Sequence, residues 1–143
     1  MIVLIPGLLS KIDDHYHRTL IAEADRNGYD WVHINYRGMK IPLENGRFIS
    51  SYDFLSFREP LRHIMSSLND PESQVFLMGS SMGGNIAFNL LGEPEFDKNP
   101  QLAAAVCFQP ALDIHNVMNN MSNNCWKAWP DYFMMLGFRH YMC

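Results

Sequence analysis

Short apolar runs that end in turn residues alternate along this chain with longer segments of helical periodicity. Four of the runs are typical of strands buried on both faces, because they are rich in branched and aromatic side chains and each stops near proline or glycine. They cover residues 2–5, 31–36, 75–78 and 102–108. The pattern therefore predicts a sheet of about four strands.

Three segments between these strands carry apolar side chains at helical spacing. They cover residues 16–27, 55–68 and 82–91. Asp13 or Asp14 can cap the first helix and Gly28 can end it, while Pro60 either starts or kinks the second. Strands and helices that alternate in this way predict parallel strands with flanking helices in a three-layer α/β/α domain. Ligand sites in such domains lie beyond the carboxyl ends of the strands.

The segment from residue 112 to 143 is rich in aromatic side chains and shows no strand alternation. It is predicted to be helical or irregular, and it could act as a lid-like tail. We expect residues 1–143 to form a single domain, because a chain of this length buries enough surface for one core.

Composition excludes several classes of function. The 143 residues are 48% apolar and 18% charged with a net charge of −4, and no basic cluster is present, so nucleic acid is not an expected partner. No apolar run is long enough to cross a bilayer, and the start lacks a basic leader, so an intracellular protein, cytoplasmic or membrane-associated, is favoured. The spacing of Cys107, Cys125 and Cys143 favours neither a disulfide framework nor a zinc site.

One motif carries chemistry. Residues 79–83 read Gly-Ser-Ser-Met-Gly, which matches G-x-S-x-G with Ser81 at its centre, between a predicted strand and a predicted helix. This context is that of a nucleophile elbow, where the serine hydroxyl points out of a tight turn. The Met82 N–H, at a helix start, and the Leu8 N–H, in the loop after the first strand, are the candidate oxyanion donors. The alternative is that both segments are ordinary turns.

These motifs resemble those of the serine α/β-hydrolases, in particular the embryogenesis-associated-protein-like esterases and acylglycerol lipases. The matching segments are residues 6–8, 35–38 and 79–86, with a weaker match at 108–114. The resemblance implies a partial α/β-hydrolase fold and hydrolysis of carboxylic esters of short- to medium-chain acids, or of monoacylglycerol-like or phospholipid substrates, in lipid metabolism. It also implies that no metal or organic cofactor takes part.

The resemblance further implies a triad in the chain order serine, acid, histidine. We expect the strands that carry this acid and histidine, and an antiparallel strand pair before residue 1, to be missing, so that the triad acid and histidine are not found in this chain. Two pairs in the tail could substitute, Asp113 with His115 and Asp131 with His140, but spacing cannot establish the contact that a base needs. Asp113 is expected to cap a helix, and both histidines to be surface or packing residues.

Other polar and sulfur-containing side chains are expected to be structural. His15 and His17 are expected at the surface, and His33 and His63 within a strand and a helix. Arg37 is expected to brace a loop rather than bind a substrate anion, and Cys107 to be an inert core thiol. The methionines of the tail are expected to fill a core rather than line an acyl-binding surface; they are Met118, Met121, Met134 and Met135.

The sequence thus predicts a serine ester hydrolase whose substrate is a small acyl ester or a lipid. An alternative is a catalytically inactive remnant or a gene-model fragment that acts as a binding module. Cleavage of a thioester or an amide on the same fold is a further possibility, and no oligomeric state is indicated.

Overall fold

The computed structural model describes residues 1–39, 53–70, 72–122, 132 and 136. The chain divides into two compact units, Met1–Pro110 and Ala111–Cys143. The elements of the first unit are β1 (Ile2–Ile5), α1 (His15–Arg26), β2 (Trp31–His33), α2 (Leu55–Ser66), β3 (Val75–Ser80), α3 (Met82–Leu91), α4 (Pro94–Asp97) and β4 (Leu102–Phe108). The second unit contains α5 (Ile114–Ser122).

The four strands form one parallel sheet in the order β2-β1-β3-β4. Val3 of β1 lies beside Val32 of β2 and Leu77 of β3, so side chains of the same register position share a face. The parallel sheet with flanking helices confirms the α/β fold class, which follows from the alternation of strands and helices along the chain.

The main core lies on the sheet face that carries Val3 and Leu77, where α2, α3 and α4 pack. Its buried side chains alternate along the strands and recur at helical spacing, as two amphipathic layers require. They are Val3, Ile5, Ile34, Tyr36, Phe57, Leu61, Met65, Val75, Leu77, Ile86, Ala87, Leu90 and Phe96. On the opposite face, α1 contacts the strands where the ring of His17 meets that of His33.

Two strands and one helix differ in length from their predicted bounds. β2 ends at His33, because Pro6 has no N–H and the β1–β2 ladder stops after the bond from Ile34 N–H to the Leu4 carbonyl. β3 continues to Ser80, which pairs with Phe108 of β4. α2 begins at Leu55, as predicted, but ends at Ser66 rather than at residue 68, and Pro60 lies inside the helix.

Helix termini bear out part of the predicted capping. Asp14 precedes α1, but its carboxylate accepts a hydrogen bond from the Lys11 N–H rather than from the helix. Asp113 caps the start of α5, as predicted, because its Oδ1 accepts a hydrogen bond from the Asn116 N–H at 2.9 Å. Most of the predicted tail lies outside the described residues, including Asp131, His140 and the side chains of the four tail methionines. The lid stays a prediction.

In the described part of the chain, no helix has the length and apolar character needed to cross a membrane.

The short helix α4, which sequence reasoning did not predict, starts with proline in its first turn and buries Phe96.

An ion cluster joins α4 to α2. Arg62 Nε and Nη2 each lie 2.6 Å from an oxygen of the Glu95 carboxylate, and Arg58 Nε lies 3.3 Å from the same carboxylate. Hydrogen bonds from Arg62 are the largest cause that lowers the pKa of Glu95 to about 2. The charged carboxylate therefore favours the folded state.

We expect Glu95→Gln to lower the melting temperature above about pH 5. A carboxyl whose folded pKa is depressed contributes stability above its unfolded pKa of 4.5 and loses it as the pH falls through the folded value. The difference in melting temperature between wild type and variant should therefore narrow as the pH falls from 4.5 to about 2, as measured by circular dichroism melts. Glu23→Gln, in the exposed Arg26–Glu23 pair, is the control with little effect. A gap that does not change with pH would contradict this account.

Candidate active site

Ser81 stands at the turn between β3 and α3, with its side chain exposed. Its backbone has φ 52° and ψ −118°, a conformation that residues other than glycine rarely adopt. The Ser81 N–H donates to the Phe108 carbonyl of β4 at 2.8 Å, and the Asn85 N–H donates to the Ser81 carbonyl at 3.2 Å. The strained turn is thus held from both sides, and the hydroxyl stays accessible.

Two glycines bring strand and helix close enough for this turn. A Cβ at Gly79 would overlap the backbone of Gly83, and a Cβ at Gly83 would overlap the carbonyl oxygens of Ile5 and Pro6. The start of α3 therefore rests directly on the end of β1, backbone against backbone. This contact places the first turn of α3 at the carboxyl edge of the sheet.

The loop of residues 6–10, called the β1 loop below, lies against Ser81. A Cβ built on Gly7 would be 3.4 Å from the Ser81 Cβ and 3.5 Å from the Ser80 carbonyl. The Ser10 N–H donates to the Gly7 carbonyl at 3.2 Å, and Leu9 has φ 61°, as the third residue of a type II turn requires. The β1 loop and the turn at Ser81 therefore lie close together, as predicted.

Backbone strain gathers at this edge. The residues other than glycine with positive φ in the described part of the chain are Leu9, Ser81 and Gln109. They follow β1, β3 and β4 respectively, at the carboxyl ends of three neighbouring strands. Strain of this kind persists only where the surrounding structure holds it, and it concentrates at functional sites.

The electrostatics at the turn favour negative charge. Met82 is the first residue of α3, a ten-residue helix whose first turn contains no acidic side chain. The N–H groups of a first helical turn have no acceptor within their own helix, and the helix dipole adds partial positive charge there. An oxyanion that formed beside Ser81 would lie at this positive end.

Two tyrosines border the site, and sequence reasoning assigned a role to neither. The hydroxyl of the buried Tyr36 donates to the Pro6 carbonyl at 2.6 Å, and the ring packs edge-on against Phe57. The Tyr16 hydroxyl lies 3.3 Å from Ser80 Oγ. An aromatic residue with a polar end, at the last position of a predicted strand, was the available signal for Tyr36.

Among the described residues of the first unit, no histidine hydrogen-bonds the Ser81 hydroxyl. The expectation of a surface position was wrong for His17, which is 2% exposed, because its Nδ1–H donates to the Lys11 carbonyl at 2.7 Å and its ring packs on Tyr16 and His33. His15 and His63 are exposed. His115 belongs to the second unit, where its Nε2 lies 3.3 Å from the Asn119 side-chain amide.

The remaining polar candidates have structural contacts. Arg37 pairs with Asp53 at 3.0 Å and also contacts Ser56, so it braces the loop after β2 against the start of α2, as expected. Burial raises the pKa of the half-buried Cys107 thiol, so it favours the unreactive neutral form. No group of three or more histidine, cysteine, aspartate or glutamate side chains suited to a metal ion occurs in the described ranges.

Comparison with known proteins gives one family and a set of distant relatives. The family described as "Serine aminopeptidase, S33" matches residues 1–136. The mouse protein named monoacylglycerol lipase ABHD2 is 29% identical over 108 residues, which are 73% of this chain and 25% of that protein. The Picea glauca embryogenesis-associated protein EMB8 is 29% identical over 94 residues, 65% of this chain and 20% of that protein.

The chain thus spans a quarter or less of the length of these curated relatives. No solved structure matches it at a significant level.

We expect Gly83→Ala to destabilise the fold by more than about 2 kcal/mol, because the added methyl group overlaps the Ile5 and Pro6 carbonyls and α3 must move away. Gly92→Ala is the matched control. Gly92 has φ −77° and only an ordinary contact at 3.5 Å, so its replacement should be neutral or slightly stabilising. Urea unfolding of both variants measures the difference, and equal stabilities would contradict the close contact.

Proposed function

Because the chain belongs to the serine aminopeptidase S33 family of the α/β-hydrolase superfamily, we propose that it contributes the nucleophile and oxyanion donors of a serine ester hydrolase. The observation that carries the proposal is the exposed Ser81 at positive φ, with the start of α3 on one side and the β1 loop on the other. Lipase-type ester hydrolysis is the class that the similarity to monoacylglycerol lipase ABHD2 supports.

In the proposed reaction, Ser81 Oγ attacks the carbonyl carbon of an acyl ester. The carbonyl oxygen becomes an oxyanion that accepts hydrogen bonds from the Met82 and Leu8 N–H groups. The tetrahedral intermediate then collapses, the bond to the alcohol breaks, and the alcohol leaves with the proton that Ser81 gave up. Water attacks the acyl-serine in the same way and releases the acid.

The proposed substrates are esters of short- to medium-chain acids, with monoacylglycerol-like lipids as the natural class. The relatives named monoacylglycerol lipase support this choice over amides and thioesters. We propose no cofactor, since this chemistry needs only a nucleophile, a proton acceptor and preorganised N–H donors.

The proton acceptor is not assigned to a residue. No histidine of the first unit hydrogen-bonds Ser81 among the described residues, and His140 and Asp131 lie outside them. When the base is removed from a serine triad, oxyanion hole and binding still leave about 10³- to 10⁴-fold catalysis over water. That residual rate does not need the serine either, because loss of the serine alone costs about as much as loss of the whole triad, so covalent labelling rather than slow turnover tests Ser81 as the nucleophile.

We expect Ser81→Ala to abolish fluorophosphonate labelling, because the probe reacts with the serine hydroxyl. Ser80→Ala is the matched control, because Ser80 is the adjacent hydroxyl and its Oγ contacts Tyr16. It should keep the labelling rate within about twofold, far inside the loss expected for a nucleophile. Labelling that survives in Ser81→Ala, or a folded wild type without labelling, would contradict the proposal, and the latter would favour a binding module.

Added imidazole should raise the hydrolysis rate of the wild type above that of Ser81→Ala. A free imidazole can accept the Ser81 proton when no histidine of the chain does so, and the variant corrects for catalysis by imidazole in solution. Initial rates at several imidazole concentrations measure the effect. The same rate increase in both proteins would show that Ser81 does not gain from an external base.

A panel of butyrate esters, thioesters and anilides at equal concentrations compares the three bond types. The proposal requires that the oxygen ester be cleaved with the largest kcat/KM.

A further inference from the structure

The carbonyl of Pro6 poses a hydrogen-bonding problem that a side chain solves. Pro6 has no N–H, so the ladder between β1 and β2 ends at Leu4, and the Pro6 carbonyl is buried beside the start of α3. A buried carbonyl without a donor costs free energy. The Tyr36 hydroxyl supplies the donor at 2.6 Å, across 30 residues of chain.

Tyr36 is itself held in place. Its side chain is 3% exposed, and its ring meets that of Phe57 from α2 with centroids 5.1 Å apart at an interplanar angle of 72°. Burial raises the pKa of the phenol above its ordinary value, with a smaller contribution from Tyr16. The hydroxyl therefore keeps its proton at neutral pH and acts as the donor in this bond.

The Tyr36 bond determines the direction of the next peptide group. The peptide bonds of the described chain are trans, so the Pro6 carbonyl and the Gly7 N–H point in opposite directions from one rigid plane. A hydrogen bond that holds the carbonyl also holds this plane. Gly7 lies against Ser81, and Leu8 follows it in the turn closed by the Ser10 N–H and the Gly7 carbonyl.

We propose that Tyr36 is a positioning residue that aims the β1 loop, and with it the Leu8 N–H, at the oxyanion formed on Ser81. The proposal rests on the function proposed above and adds a residue that touches neither substrate nor nucleophile. Its effect passes from α2 through Phe57, the Tyr36 hydroxyl and Pro6 to the loop.

The test is Tyr36→Phe in the full 143-residue chain, which keeps the ring and removes the hydroxyl. A misplaced oxyanion donor weakens binding of the transition state but not of the ester, so kcat for p-nitrophenyl butyrate should fall by about tenfold to hundredfold while KM changes by less than about twofold. Val75→Ala is the destabilised control: it removes two methyl groups from a fully buried position at the amino end of β3, and it should keep kcat.

A second measurement does not depend on turnover. Nitrogen-15 relaxation measures the order parameter S² of the Gly7 and Leu8 N–H vectors. In Tyr36→Phe, S² should drop from the rigid value of about 0.85 to below about 0.6. The same vectors should stay rigid in Val75→Ala. If Tyr36→Phe does not fold, Phe57→Leu tests the same link, because it loosens the ring but keeps the hydroxyl, and a kcat loss of a few-fold is expected.

The outcomes separate the two proposals. Unchanged kcat and loop order in Tyr36→Phe overturn the positioning role and leave the hydrolase proposal standing. A kcat loss that Val75→Ala reproduces reduces Tyr36 to a structural residue, which also overturns it. If the wild type is not labelled at Ser81, the hydrolase proposal fails, and the relaxation data alone decide whether Tyr36 anchors the loop.

Discussion

The start of α3 rests on the end of β1 with no side chain between them, and the geometry of the candidate site depends on this contact. Gly83 meets the Ile5 and Pro6 carbonyls, and Gly79 meets the backbone of Gly83. Any larger residue at either position would push the helix away from the sheet. With the glycines in place, Ser81 has to turn through a strained conformation, and its hydroxyl emerges beside Gly7.

Pro6 connects the fold to the chemistry. A proline ends the strand pairing because it has no N–H, and the chain can then leave the sheet as a loop along its carboxyl edge. The same feature leaves a buried carbonyl that needs a donor, and Tyr36 provides one. Core packing on α2 and the shape of the β1 loop are therefore linked by a single hydrogen bond.

The proposed nucleophile and oxyanion donors lie at adjoining strand ends, and no histidine of the first unit hydrogen-bonds Ser81 among the described residues. In serine hydrolases these parts act together, but their contributions are separable, because preorganised donors stabilise charge whether or not a base is present.

The sequence by itself determined the α/β class, three of the strand and helix bounds, and Ser81 as the residue to examine. β1, α3 and β4 have the predicted bounds because short apolar runs and helical periodicity are local signals. The capping role of Asp113 was predictable for the same reason, because its bond to the Asn116 N–H spans only three residues. The tertiary structure decided what depends on distant partners: the early end of β2 beside Pro6, the burial of His17 against His33, and the Tyr36 bond across 30 residues. No local pattern encodes these contacts, because each needs two strands or a strand and a helix to be in place first.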